Sequence, residues 1–179
     1  MGKLVESTFM TLDGVIGEPQ NWSGPYWDDE HSAYASKLLF GADALLLGRK
    51  TYDGFAAAWP QRSGDDYTDR INAMPKYVAS TTLTEPTWNA NVLGSDVAAD
   101  VARLKDDENL SLLKFGSGEV DKVLFGAGLV DELHVWTFPV VAGEGDRLLA
   151  GLDLRHFELA DMSRFGSGIV VLVYTPKSS

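Results

Sequence analysis

Three short stretches of this chain join glycine, hydroxyls and cations at spacings that suit a phosphate. In LLKFGSGEV, which starts at Leu112, Gly116, Ser117 and Gly118 stand between a strand-like run and a helical pattern opening with Glu119 and Val120. In LLGRKT, Gly48 is followed by Arg49, Lys50 and Thr51 in the same setting. In the third, Ser80 and Thr81 close the strand-like run MPKYVAST, and Thr82 follows. Glycine has no Cβ, so a pyrophosphate can approach its backbone closely. A helix starting just beyond offers unpaired N–H groups and the positive end of its dipole, an anion site in the making. Arg49 and Lys50 oppose that dipole, at a cost of about a few tenths of a kcal/mol or more. An acidic chain accepts them there most readily when an anion lies between them. Thr51 can cap the helix and offer the same anion a hydroxyl.

Each motif also has a plainer reading. FGSG recurs at Phe165, between two runs of β type, where Gly166, Ser167 and Gly168 need only make a hairpin turn. The first copy, taken alone, is equally a strand-to-helix turn. It departs from the dinucleotide fingerprint, since Asp121 takes the place of the third glycine. Trp136, not a ribose-binding acid, stands about twenty residues on. Arg49 and Lys50 could form surface ion pairs, which contribute little. The functional reading gains force from two strand–glycine–helix corners in one chain.

The bulk of the sequence narrows the partners. The 179 residues carry 26 acids against 15 bases, a net charge of −11, which argues against nucleic acid and anionic membrane surfaces. There is no cysteine, so disulfides and thiolate metal sites are excluded. His31, His134 and His156 have no metal-ligand spacing, and no Walker loop or nucleophile elbow is present. The start MGKLVESTFM has no secretory h-region, and no apolar run approaches the roughly 20 residues of a membrane helix. A cytoplasmic location is the expectation.

The elements that must position these residues alternate. KLVESTFMTLDGVIG reads as a strand ending at Asp13-Gly14, and GEPQNWSGPYW as a loop. DDEHSAYASKLLF reads as a helix closed by Gly41. ADALLLG is a strand buried on both faces, RKTYDGFAAAW a helix, and MPKYVAST and ANVLG strands. SDVAADVARLK is an amphipathic helix behind a Ser95 cap, with Val97, Val101 and Leu104 on one face. NLSLLKF is a strand, and GEVDKVLFGAG a helix with Val120, Val123, Leu124 and Ala127 on one face. DELHVWTFPVV, HFELADMSRF and GIVVLVYTP are strands. This order predicts one domain over 1–179, a three-layer α/β/α architecture whose mostly parallel sheet ends in an antiparallel hairpin. DELHVWTFPVV is apolar on both faces, so it is either central or covered by another subunit.

At this point the chain resembles the dihydrofolate reductase-like fold. It resembles more closely the C-terminal reductase domain of the bifunctional deaminase-reductase of riboflavin biosynthesis. The segments that carry the resemblance are STFMTLDGVIG, LLGRKTYDGF, the strand end AST and LLKFGSGEVDKVLFGAGLVDELHVWTFPVVAGEGDRLL. The resemblance implies an NADPH site. Gly48, Arg49, Lys50 and Thr51 would hold the adenosine-side phosphates, with Ser80 and Thr81 near the 2′-phosphate. Gly116, Ser117, Gly118, Glu119 and Val120 would cradle the pyrophosphate. Val15, Ile16 and Gly17 would belong to a mobile loop beside the nicotinamide. Asp13 matches an acidic position of the riboflavin-type reductases and is the catalytic candidate, although an Asp-Gly turn explains it equally well.

The implied function is NADPH-dependent reduction of a small pyrimidine- or pterin-like molecule, as in 5-amino-6-(5-phosphoribosylamino)uracil reduction. A non-catalytic dinucleotide-binding member and a true dihydrofolate reductase are the alternatives. A ribose-phosphate substrate needs a second anion site, for which Arg62, Arg70 and Arg147 are available. Trp22, Tyr26 and Trp27 could stack on a heterocycle or simply pin their loop. Relatives of this type pair, so a homodimer is expected.

Overall fold

The computed structural model describes residues 2–106 and 109–177. Its centre is an eight-stranded sheet built from β1 (Leu4–Thr11), β2 (Ala44–Gly48), β3 (Lys76–Ala79), β4 (Ala90–Val92), β5 (Leu112–Phe115), β6 (Glu132–Phe138), β7 (Phe157–Arg164) and β8 (Val170–Pro176). The strands lie in the order β4-β3-β2-β5-β1-β6-β8-β7. All pairs from β4 to β6 are parallel, and β8 pairs antiparallel with both β6 and β7. The expected mostly parallel sheet with a C-terminal hairpin is therefore what forms.

Helices cover both faces. Below β2 and β3 lie α1 (Asp29–Phe40), α2 (Arg49–Ala58) and α3 (Asp66–Ala73), around Leu45, Leu47, Ile71, Met74 and Val78. The opposite face carries α4 (Val97–Asp106) and α5 (Glu119–Gly126), around Leu4, Leu46, Val101, Leu104, Leu112 and Leu124. A third, aromatic cluster of Trp136, Phe138, Phe165, Ile169 and Val171 fills the space under the Trp-rich loop. Every residue from Ala44 to Leu47 is buried, because β2 has helices on both sides.

Local chemistry sets the element ends. Asp28 caps α1 by accepting the His31 N–H at 2.8 Å, Asp29 and Glu30 sit in its first turn, and Gly41 closes it. Three expectations change. The cap of α4 is Asp96, which accepts the Ala99 N–H at 3.0 Å, and not Ser95. Val123 is 44% exposed and Ala127 is exposed, so α5 buries Asp121, Leu124 and Phe125 instead. The cause is ionic: Asp121 turns inward to a lysine. Finally, α3 was not foreseen, since it buries only Thr68 and Ile71 and shows no apolar stripe. The strand DELHVWTFPVV lies between β1 and β8, and that central position accounts for its two apolar faces without a second subunit.

Candidate functional site

The parallel strands β1, β2, β3, β5 and β6 bring their carboxyl ends to one edge, and β5 inserts between β1 and β2. Open α/β sheets place ligands at such a switch in strand order. Leu46 pairs with Lys114, so the two glycine corners that follow β2 and β5 are neighbours. A Cβ built on Gly48 would lie 3.8 Å from Val120 Cγ2, and one built on Gly116 only 3.0 Å from Thr51 Oγ1. Gly116 also has φ +75, a left-handed conformation that favours glycine. Gly118 is extended, and a Cβ there would meet nothing within 4 Å. The two corners form one continuous, open-topped cradle.

The amides of the cradle are unequally available. Gly116 donates its N–H to the Ser7 carbonyl at 3.0 Å. Gly118 donates to Asp121 Oδ2 at 2.7 Å, and the Ser117 hydroxyl donates to the same oxygen. Glu119 and Val120, in the first turn of α5, have no partner further back in the helix. They and the α5 dipole are what the loop can offer an anion.

Arg49 starts α2 and reaches sideways across the sheet edge. Its Nε donates to Asp53 Oδ1 at 2.9 Å, and its Nη1 to Ser80 Oγ at 3.3 Å and Thr82 Oγ1 at 2.9 Å. Arg49 and Ser80, singled out separately in the sequence, thus meet. Thr82 is the second hydroxyl at the guanidinium, whereas Thr81 is exposed and makes none of these bonds. Asp53 was overlooked, though its i+4 spacing from Arg49 is a readable signal. Lys50 points elsewhere, 3.1 Å from Glu18 Oε1.

Lys50 also borders a cleft of about 400 Å³ together with Val15, Gly17, Trp22, Ala142 and Gly145. The Val15–Gly17 segment, part of the expected mobile loop, is bonded to the backbone on either side of it. Thr11 N–H donates to the Val15 carbonyl at 2.9 Å, Ile16 N–H to Asp146 at 2.9 Å, and Leu148 N–H to Gly14 at 3.0 Å. Val15 is buried, and a Cβ on Gly145 would strike its Cγ1 at 2.8 Å.

Asp13 belongs to the same stitching. Its Oδ1 accepts the Thr11 hydroxyl at 2.5 Å and the Ala142 N–H at 3.1 Å, and its Oδ2 accepts the Gly143 N–H at 2.7 Å. The Thr11 hydroxyl, aided by those two amides, lowers its pKa to about 2. These bonds hold the carboxylate ionised at neutral pH. Arg147 donates to the Asp13 carbonyl; Arg70 donates to the Ala42 carbonyl, and Arg62 stacks on Trp59. The last two stand away from this corner.

The α1 side of the edge is aromatic. Phe138 meets Trp22 at 5.3 Å, Tyr26 at 5.8 Å and Phe9 at 4.9 Å between ring centres. Trp22 donates its indole N–H to the Gly17 carbonyl at 3.1 Å, tying this wall to the stitched loop. Trp27 stacks on His31 at 5.2 Å. His31 Nε2 is buried without a partner, and burial lowers its pKa despite Asp28, which keeps the ring neutral. The second FGSG is the β7–β8 turn, with Gly168 at φ +97, and no group of three or more metal-ligating side chains occurs among the described residues. No helix among them is long and apolar enough to cross a membrane.

These residues fit a dinucleotide. The space over Gly118 is open, Gly116 is left-handed against Thr51, and Arg49 donates to two hydroxyls at the end of the neighbouring strand. Comparison with known proteins gives the family and the fold. The model of the RibD C-terminal domain family matches residues 3–171. Protein YyaP of Bacillus subtilis (strain 168) is 26% identical over 177 residues, covering 96% of this chain and 94% of its own. A structure from Shewanella sp. PV-4 named for riboflavin biosynthesis superposes with a TM-score of 0.78 at 19% identity, covering 98% and 99% of the two chains. Dihydrofolate reductase from Enterococcus faecalis, complexed with NADP(H), superposes with a TM-score of 0.65 at 19% identity, covering 99% and 98%.

Proposed function

Because the chain belongs to the RibD C-terminal domain family, we propose that it is an NADPH-dependent reductase of a small pyrimidine- or pterin-like molecule. The adjacency of the two glycine corners carries this reading: Thr51 Oγ1 stands 3.0 Å from where a Cβ of Gly116 would begin. One elongated diphosphate can span corners that close. Gly48, Thr51, Gly116, Ser117, Gly118, Glu119 and Val120 form its cradle, while Lys50, turned to Glu18, would serve only by changing partner. Arg49, with Ser80 and the neighbouring Thr81 and Thr82, suits the extra phosphate that distinguishes NADPH from NADH.

NADPH, when bound, supplies a hydride from its nicotinamide ring. The protein's part is to bind, orient and exclude water. Val15 and Gly17, on either side of Ile16 and held against residues 146–148, line the cleft, and Trp22, backed by the buried Phe138, gives it an apolar side. Asp13 acts by position: it anchors the Ala142–Gly143 backbone and so shapes that cleft.

A second reading, a dinucleotide-binding member without turnover, draws support from that same ionised Asp13. Turnover decides between the two. Loss of NADPH absorbance on mixing with one of a panel of aminopyrimidines, pterins and quinone-like acceptors supports the reductase. Saturable NADPH binding with no oxidation across the whole panel supports the second reading. A homodimer is part of the proposal; the outer edge strand β7, with Leu159 and Met162 more than half exposed, is where a second copy would find unpaired backbone.

A further inference from the structure

Directly beneath the glycine loop lies a buried ionic group that the proposed chemistry does not use. Glu6 of β1 and Lys114 of β5 are lateral partners in the sheet, and both are buried. Lys114 Nζ stands 2.7 Å from Asp121 Oδ1, donates to the Gly116 carbonyl at 2.5 Å, and lies 3.6 Å from Glu6 Oε2. Asp121, itself buried, holds the Ser117 hydroxyl and the Gly118 N–H with its other oxygen. One ammonium therefore fixes both ends of the loop, Gly116 directly and Gly118 through Asp121. Neither carboxyl oxygen of Glu6 has a hydrogen-bond partner.

Resting on the dinucleotide reading above, we propose that Lys114 and Asp121 are positioning residues for the diphosphate cradle, and that Glu6 makes cofactor binding proton-linked. With Glu6 neutral, the Lys114 ammonium belongs to the loop. With Glu6 ionised, a second buried carboxylate competes for it, the hold on Gly116 and Asp121 slackens, and a negative charge appears under the anion site. Both consequences weaken binding. The charged groups facing Glu6 are few: Lys114 from β5 and Asp121 from α5, whereas its lateral partner on β6 is Leu133 and the β2 residue beside Lys114 is Leu46. Burial, opposed by Lys114 and reinforced by Asp121, pushes the Glu6 carboxyl up to about 8, so the change falls in a range open to experiment.

The test is NADPH affinity from about pH 7.5 to 9.5, above the second ionisation of a phosphate monoester near 6. The full-length wild type should lose about five- to tenfold in affinity across that interval, since one linked proton gives at most tenfold per pH unit. Glu6→Gln, which keeps the shape and removes the charge, should give a flat profile. Wild type should also take up a proton on binding NADPH near pH 8, seen as a calorimetric heat that changes with the ionisation enthalpy of the buffer. Parallel profiles in the two proteins, or no proton uptake by wild type, would overturn the linkage while leaving the dinucleotide site intact. No saturable NADPH binding at any pH would overturn both.

Discussion

Thr51 Oγ1 crowds the place where a side chain on Gly116 would start, 3.0 Å from its notional Cβ. One residue follows β2 and the other follows β5, so this contact joins two crossover corners that lie far apart in the sequence. Gly116 meets the demand twice over. Its left-handed backbone favours glycine, and a Cβ there would press on the Thr51 hydroxyl.

The glycines of the loop can be separated by substitution. Gly116→Ala should cost about 1–2 kcal/mol of stability from left-handed strain and should also weaken NADPH. Gly118→Ala should behave otherwise. Gly118 is exposed and extended, with no atom within 4 Å of an added Cβ, so stability should change by no more than about 0.5 kcal/mol. The methyl would nonetheless fill the open space over the loop, and NADPH affinity should fall about tenfold or more. Thermal melts and NADPH titrations of both variants check the pair.

Arg49→Ala should weaken NADPH by about tenfold and NADH much less. A charge-assisted hydrogen bond contributes about 1.5–3 kcal/mol, and the Arg49 guanidinium already sits between Ser80 and Thr82. Parallel titrations of the two cofactors read the ratio, and equal losses would remove Arg49 from the 2′-phosphate.

Asp13 predicts an acid limb of stability. Its folded pKa, near 2, is below the ordinary value of 3.8, so its contribution is present above about pH 4 and is lost as pH falls towards 2. Asp13→Asn should melt below wild type at pH 7, with the gap closing between about pH 4 and 2. A gap that stays constant over that window would show that the carboxylate charge is not what holds Ala142 and Gly143.

Much of this arrangement was legible in the sequence. Strand runs, the Asp28 and Gly41 ends of α1 and the β7–β8 turn rest on local rules, and local rules suffice for them. The two glycine corners could be named but not brought together, because their contact depends on β5 entering between β1 and β2. Asp13 read as an Asp-Gly turn or a catalytic acid; its partners lie at Ala142 and Gly143, too distant for spacing to reveal. The same holds for the seam between residues 14–16 and 146–148, whose partners are just as far apart in the sequence. The buried face of α5 was misread by rotation, since periodicity counts apolar residues and Asp121 is buried by its ion pair with Lys114.

Titration of the protein with NADPH, followed by tryptophan fluorescence and melting temperature together, is the most direct test of the central claim. Five tryptophans report binding, with Trp22 on the cleft wall. The account predicts a saturable fluorescence change and a rising melting temperature, with about 2.7 kcal/mol of added stability when the cofactor reaches a hundred times its Kd. Unchanged fluorescence and melting temperature at millimolar NADPH would contradict it.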